Sequence, residues 1–476
     1  MLSVATRRSW LLLLFCLFLV PACSGSPEKF SGERVMTFAG ELPEEDEDFF
    51  FLSFDVPDGV REIEIRHDDL SEENILDWGL DDPGGFRGWG GGKSEPAIIG
   101  DRAASTSYLP GPIPPGRWEV VIGKAKIEKL PARYEVEVIL RSEPTLSPQE
   151  ERRPYAEVPA IESTQRWYRG DLHVHTLESD GSQSVRTVIE FAHSRGLDFL
   201  MLSEHNTTSQ LSWYGTFQDE FPDMLLIPGN EFTSYDGHAG VIGSTDWINH
   251  RIGTRGATVE DAIQASRESG GFFALNHPDL FVGDLCIGCG WGYDVDPGLI
   301  DGVEIRSAVF SAIPTWEELL ATGSRAVALG GSDDHHGGTS TSPIVTPVGT
   351  PTTWILADEL SVPALMRGIR AGRTVVQFGG PGTPMVTFDI EGEREDDSVR
   401  ATGTRLHAEA TGARGTVLEI IRNGVVFDQV AVDADPFRHE IVLSAPASGE
   451  DRYRVQLVDA TDRSPLTVAS HTFLRR

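Results

Sequence analysis

The sequence predicts a multidomain protein of class α/β plus β, in which a central α/β region stands between two all-β regions. Between residues 167 and 380, short apolar runs alternate with helical patterns, as strands and helices do around a parallel sheet or barrel. On either side, residues 49–141 and 381–476 hold strand-like runs broken by Gly/Pro turns, which suits a β-sandwich at each end. A chain of 476 residues has room for this division, since domains run to about 100–200 residues each.

Residues 1–22 read as an export signal. Arg7 and Arg8 precede an apolar run over 10–20, too short to span a bilayer, and the run exits through Pro21-Ala22-Cys23. Residues 20–23 resemble a bacterial lipobox, so a lipid on Cys23 is expected; cleavage after Ala22 with plain secretion is the alternative. Residues 6–11 also resemble a twin-arginine signal, whereas the Leu-rich core favours the general secretory route, and the two stay open. The expected location is the bacterial cell envelope or periplasm.

Residues 24–48 form an acidic leader ending in Glu44-Glu45-Asp46-Glu47-Asp48, read as a solvated loop. In 49–141 the clearest strands are 49–56, 62–66, 118–122 and 134–140, while the Gly-packed stretch 81–92 offers no element. Pro144, Pro148, Pro154 and Pro159 mark a linker over 142–166. The central region has strand-like runs at 172–176, 197–203, 224–228, 239–243, 272–276, 302–305 and 326–330. Its helical patterns cover 185–195, 259–269, 316–322 and 362–371. After Pro384 only strands are expected, at 385–390, 417–423, 425–432, 439–444 and 452–458, with Asn423-Gly424 as a type I′ hairpin signal.

Composition narrows the function. Asp and Glu number 73 against 40 Lys and Arg, a formal charge of −33. That argues against a nucleic-acid or anionic-membrane partner, which would need a basic face; contact with a membrane is expected only through the Cys23 lipid. There are five lysines, none after Lys129, so Schiff-base and P-loop chemistry in the remainder is excluded. Cys286 and Cys289 are the only cysteines beyond the signal, and no second pair exists to complete a four-ligand zinc knuckle. A local disulfide is the expectation for an oxidising envelope, with a redox pair as the alternative.

The chemistry lies in the centre, where nine of the 13 histidines fall between residues 173 and 336. In Asp171-Leu172-His173-Val174-His175, period two sends both histidines to one face, and Asp333-Asp334-His335 repeats that geometry. His205 and His277 close apolar runs, Glu231 follows one, His238 opens one, and Asp180 sits in the loop after the first pair. Imidazoles and carboxylates gathered at strand ends would repel or stay unsatisfied without cations, and this donor mix suits Zn²⁺, Mn²⁺ or Fe²⁺. Asp171 is read as an acceptor for an imidazole N–H or as structural, and Glu204 likewise. His67, His407, His439 and His471 are scattered singly and read as surface residues.

Five motifs carry a resemblance: Gly170-Asp171-Leu172-His173-Val174-His175, Ser203-Glu204-His205-Asn206, Gly229-Asn230-Glu231 with Gly237-His238, Asn276-His277-Pro278, and Gly330-Gly331-Ser332-Asp333-Asp334-His335. In this order they resemble the PHP (polymerase and histidinol phosphatase) superfamily. Residues 349–354 and 368–374 are similar to its CehA/McbA-type metallohydrolase branch. The resemblance implies a distorted seven-stranded β/α barrel holding two or three divalent ions. Its ligands would be His173, His175, Asp180, His205, Glu231, His238, His277, Asp333 and His335.

The expected function is hydrolysis of a small ester by metal-activated water. A phosphoester is the superfamily's commonest implied substrate, and a carboxylester or carbamate is the alternative implied by the branch. Glu231, His205 and Asp333 would serve the reaction directly, Glu231 by bridging two ions; Arg306 would clamp an anionic substrate. The rival class is a non-catalytic binding protein whose β-sandwiches engage an envelope partner.

Overall fold

The computed structural model describes residues 29–44, 47–342, 345–400 and 404–476. The expected signal over 1–22 and the lipid site Cys23 lie outside the described residues. The chain is a mixed α/β protein with many strands and few helices, and no helix among the described residues is long and apolar enough to cross a membrane.

Part of the acidic leader is a strand. Glu33–Glu41 pairs antiparallel with Arg133–Arg141 along its whole length. The register sets Glu33 against Arg141 (2.8 Å) and Glu41 against Arg133 (3.1 Å), so acids of a leader read as a loop are matched to cross-strand cations. The Gly-rich stretch is also structured, as strands Ile75–Asp82 and Gly85–Gly91. Its glycines admit aromatic rings: Gly88 has φ +150° and lies where a Cβ would strike the Tyr108 ring. Two four-stranded sheets result, ordered Glu33–Glu41, Arg133–Arg141, Glu62–Asp68, Ala97–Gly100 and Phe49–Val56, Gly116–Lys126, Ile75–Asp82, Gly85–Gly91. Both contribute to one apolar core around Trp118, Ile63, Leu80 and Val136.

This N-terminal region is docked on the centre. Arg251 donates to both carboxylate oxygens of Asp81 (2.6 and 2.8 Å), Tyr235 donates to Asp77 (2.9 Å), and Phe86 stacks on Trp247 at 4.5 Å. Arg251 is 7% exposed and Asp81 14%, so the pair is nearly dry. Arg251→Met is therefore expected to lower stability by about 3–5 kcal/mol, read from the denaturant midpoint, because it strands the Asp81 carboxylate. A shift below about 1 kcal/mol would mean that water reaches the pair, as it does for exposed ion pairs.

In the centre, Ser184, Thr258 and Ser361 cap the helices Val185–Ser194, Val259–Glu268 and Val362–Arg370 through side-chain bonds to backbone N–H groups. The helix Leu211–Glu220 lacks such a cap, which is why its start carries no sequence signal. Gln210, before it, instead spends its amide on the carbonyls of Leu202 and Gly229. The strands fall into two sheets of mixed pairing. In one, Arg166–Asp171 runs parallel to Phe199–Leu200 and antiparallel to Thr352–Ala357, followed by Thr374–Gln377. In the other, Gly229–Ser234, Gly237–Ile242 and Phe272–Leu275 are antiparallel, and Gly302–Ser307 then runs parallel to both Phe272–Leu275 and Val327–Gly331.

The first of these sheets continues past residue 380, since Thr374–Gln377 pairs with Pro465–Ala469. The C-terminal strands add to it and share a core with a three-stranded sheet of Met385–Ile390, Arg405–Thr411 and Phe437–Val442. Asn423 and Gly424 take φ +52° and +82°, the conformation a type I′ turn requires. His471 is not a surface residue: it is buried, 3.6 Å from Glu317 and with its ring centroid 4.4 Å from that of Trp316.

Candidate metal centre

His173 and His175 follow the strand Arg166–Asp171; they do not lie within a strand over 172–176 as expected. Backbone pairing with the Asp333–His335 segment brings them together. Val174 and Asp334 form a parallel bridge, the Asp333 N–H donates to the His173 carbonyl (2.9 Å), and the His175 N–H donates to the Asp334 carbonyl (3.1 Å). The other ligand segments join in the same way: Ser203 N–H to Val174 (2.8 Å), Glu231 N–H to Glu204 (3.1 Å), Asn276 N–H to His238 (3.1 Å). Main chain thus holds these donors in place. Glu231 and His238 sit on the hairpin Gly229–Ser234/Gly237–Ile242, where His238 faces Thr233, two residues from Glu231. Alternation then puts both on one face, which accounts for their seven-residue spacing.

Glu231 is the hub. It is fully buried, and five imidazoles come within 3.6 Å of its carboxylate: His205 (2.9 Å), His173 (3.2 Å), His277 (3.4 Å), His175 (3.5 Å) and His238 (3.6 Å). Asp333 lies 3.2 Å from His173 and 3.3 Å from His175. Asp180, exposed at the mouth, is 3.3 Å from His335, 3.6 Å from His205 and 3.9 Å from His175. All nine expected ligands therefore meet in one cluster. Asp333 and His277 hold φ of +53° and +29°, left-handed values that L-residues adopt at a cost, as functional sites often require.

The tautomers decide what the cluster is for. His173 Nδ1 lies 3.2 Å from both oxygens of Glu304, so it carries the proton, and the Nε2 lone pair faces Glu231 and Asp333. His335 Nδ1 donates to the Asp333 carbonyl (3.0 Å), turning its Nε2 lone pair on Asp180. His238 Nε2 donates to the Ile287 carbonyl (3.2 Å), leaving Nδ1 toward Glu231. Ser179 gives its own proton to Glu204, so its oxygen takes that of His175 Nδ1 (3.4 Å) and frees the fourth lone pair. Lone pairs aimed at carboxylates repel unless a cation lies between them. Consistent with this, Glu231 Oε2 and His238 Nδ1, which faces that carboxylate, are buried with no hydrogen-bond partner. The donor set of imidazole nitrogens and carboxylate oxygens fits divalent transition ions.

Four groups of three or four ligand atoms, each within 4.8 Å of one another, share these residues: His175/Asp180/His205/His335, His173/His277/Asp333, His173/His175/Glu231 and His205/Glu231/His238. Without an ion, burial opposes charge on His173, but Glu231, Glu304 and Asp333 outweigh it and hold its pKa well above 6.5, so a proton on Nε2 then takes the place an ion would fill. On His175 burial wins, with His335 and His205 adding repulsion, and its pKa falls to about 3.

No family model matches the chain. It is 26% identical over 152 residues to an uncharacterised protein of Methanocaldococcus jannaschii, covering 29% of this chain and 82% of that one. It is 37% identical over 73 residues to the phosphoribosyl 1,2-cyclic phosphate 1,2-diphosphodiesterase of Eggerthella lenta, covering 15% of this chain and 26% of that enzyme. Among solved structures, a two-domain protein from Bacteroides vulgatus, described as containing a predicted PHP-like metal-dependent phosphoesterase, aligns with 67% of this chain and 99% of its own. The identity is 18% and the TM-score 0.38.

Around the ligand cluster, Asp171 and Glu204 take the structural alternative. Asp171 accepts no imidazole proton; it takes the backbone N–H groups of His173 (3.1 Å), Ser332 (3.1 Å) and Gly349 (2.6 Å), fixing three loops at once. Glu204 holds Thr176 and Ser179 of the His175–Asp180 loop, and burial raises its pKa to about 7. The residue missed is Glu304, which orients His173 and accepts the His277 N–H (3.0 Å). It sits on the same strand as Arg306, and strand alternation would aim both inward. A register shift between them turns Arg306 away. Its guanidinium donates to the Val309 carbonyl (2.8 Å) and lies over the Phe378 ring, off the ligand cluster. Cys286 and Cys289 are disulfide-bonded, closing the loop whose Ile287 carbonyl orients His238.

Proposed function

We propose that the chain is a metal-dependent hydrolase of small esters, with a phosphoester as the preferred substrate. The observation that carries this is the set of oriented imidazole lone pairs converging on Glu231, Asp333 and Asp180. Divalent ions held there would acidify a water and stabilise charge developing on the ester. Glu231, its Oε1 fixed by the Asn276 amide (2.8 Å), would bridge two ions. Glu304 and the Ile287 carbonyl would keep the protons of His173 and His238 away from ions bound there. A distorted seven-stranded barrel of the CehA/McbA type around this centre, with a β-sandwich at each end, is part of the proposal. Two or three ions, of Zn, Mn or Fe, suit the overlapping ligand groups. Export and a Cys23 lipid are part of the same reading, and the local disulfide suits an oxidising compartment.

Carbonyl ester hydrolysis on the same centre is the second reading, favoured by the state of a nearby cation. Lys93 reaches the ligand loop from the N-terminal region, yet its ammonium is engaged by Leu177 O (2.7 Å), Ser107 (2.8 Å) and Thr106 (3.3 Å). It therefore offers a phosphate no free donor. A panel of phosphomonoester, phosphodiester, carboxylester and carbamate substrates separates the readings. Chelator-sensitive turnover of a phosphoester, lost in His173→Ala, is the expected result. Turnover confined to carbonyl substrates would reverse the preference, and less than one ion per chain with no turnover would overturn the hydrolase.

A further inference from the structure

The segment that follows His277 builds a second feature. A cavity of about 390 Å³ opens immediately after that ligand, walled by Pro278, Phe281, Trp291, Tyr293, Val295 and Leu319. Its walls are tied to the centre. The Trp291 N–H donates to the Pro278 carbonyl (2.9 Å), and the indole packs on Gly237, the neighbour of His238, so closely that a Cβ there would lie 2.6 Å from the ring. Trp291 and Tyr293 meet edge to face at 5.2 Å, and the Tyr293 hydroxyl donates to Ser234 (2.8 Å). A smaller cavity of about 70 Å³, lined by His277, Glu304 and Phe310, shares Asp279 with it.

Large apolar side chains stand exposed in the cavity walls and beside them in the chain. Phe281 is 73% exposed, Leu285 four residues on 89%, and Phe310, in the short strand Phe310–Ser311 that lines the smaller cavity, 41%. Large apolar side chains left in water beside one centre mark a surface that awaits an apolar partner. Asp279, Asp294 and Glu318 also line the larger cavity, so a second anionic group would be repelled. We propose that this cavity is the subsite for an uncharged alkyl or aryl substituent of the ester, which rests on the hydrolase reading of the neighbouring centre.

The test compares methylphosphonate with hexylphosphonate on the metal-loaded full chain by calorimetry, alongside hydrolysis of methyl and hexyl 4-nitrophenyl phosphodiesters. The hexyl probe is expected to bind at least about tenfold more tightly, from burial of its extra methylenes. Phe281→Ser and Leu319→Gln should each erase most of that preference and leave methylphosphonate affinity and metal content unchanged. Equal affinity for the two probes, no binding of either, or a preference intact in both variants would overturn the subsite, whatever the hydrolysis result. A chain-length preference in binding without metal-dependent hydrolysis would support the pocket and overturn the hydrolase reading instead.

Discussion

Glu231→Gln is expected to abolish most metal binding and to slow ester hydrolysis by about 10³-fold or more, since the charge that would bridge the ions is removed. The carboxylate is the common neighbour of five imidazoles and has no exposure to water. Burial disfavours its charge, yet the surrounding imidazoles hold its pKa well below 4.5, so the centre is built around an anion at this position. Gln keeps the shape and still offers an oxygen to the Asn276 amide, so the fold should survive. What is lost is the bridging charge, a contribution of several kcal/mol, and each ~1.4 kcal/mol is a factor of ten in rate. Elemental analysis and turnover measured on the same preparation check this. Full metal occupancy with a rate close to wild type would remove Glu231 from the proposed role.

Much of that centre was legible in the sequence, and the reason is local. His173 and His175, Asp333 and His335, His205 and His277 each adjoin an apolar run, so short-range pattern marks them before any tertiary contact is known. The detail fails where geometry is not local. His173 and His175 converge through pairing of Val174 with Asp334, far along the chain, not through strand alternation of their own. Arg306 stands out in the sequence and Glu304 does not, because nothing there announces the register shift between them. The leader strand Glu33–Glu41 is hidden because its acids look solvated until Arg133 and Arg141 stand opposite them. Fold class is carried by periodicity, whereas mixed pairing and the sheet that crosses residue 380 depend on which edges meet.

Glu304→Gln is expected to weaken metal affinity by about 10–100-fold without touching a ligand, as loss of a supporting carboxylate typically does. Both Glu304 oxygens are in use: they lie 3.2 Å from His173 Nδ1, and one also accepts the His277 N–H. An amide replaces one of these oxygens by an NH₂ group, and since both positions lie 3.2 Å from His173 Nδ1, a donor faces that nitrogen in either orientation. If the His277 N–H keeps its oxygen, the NH₂ beside His173 Nδ1 competes with the ring proton and favours a lone pair there. The imidazole can then move its proton to Nε2, where it would point at Glu231 and Asp333 in place of a lone pair. In the other orientation the buried His277 N–H is unsatisfied, and the left-handed backbone at φ +29° loses a bond that holds it. Either way a ligand histidine is mispresented while all nine ligands remain in the chain. Competition against a chelator of known affinity measures the loss, and the ¹⁵N shifts of the His173 ring report the tautomer. Affinity unchanged with Nδ1 still protonated would mean that the ions alone orient His173, and Glu304 would then be only a buried acid beside the centre.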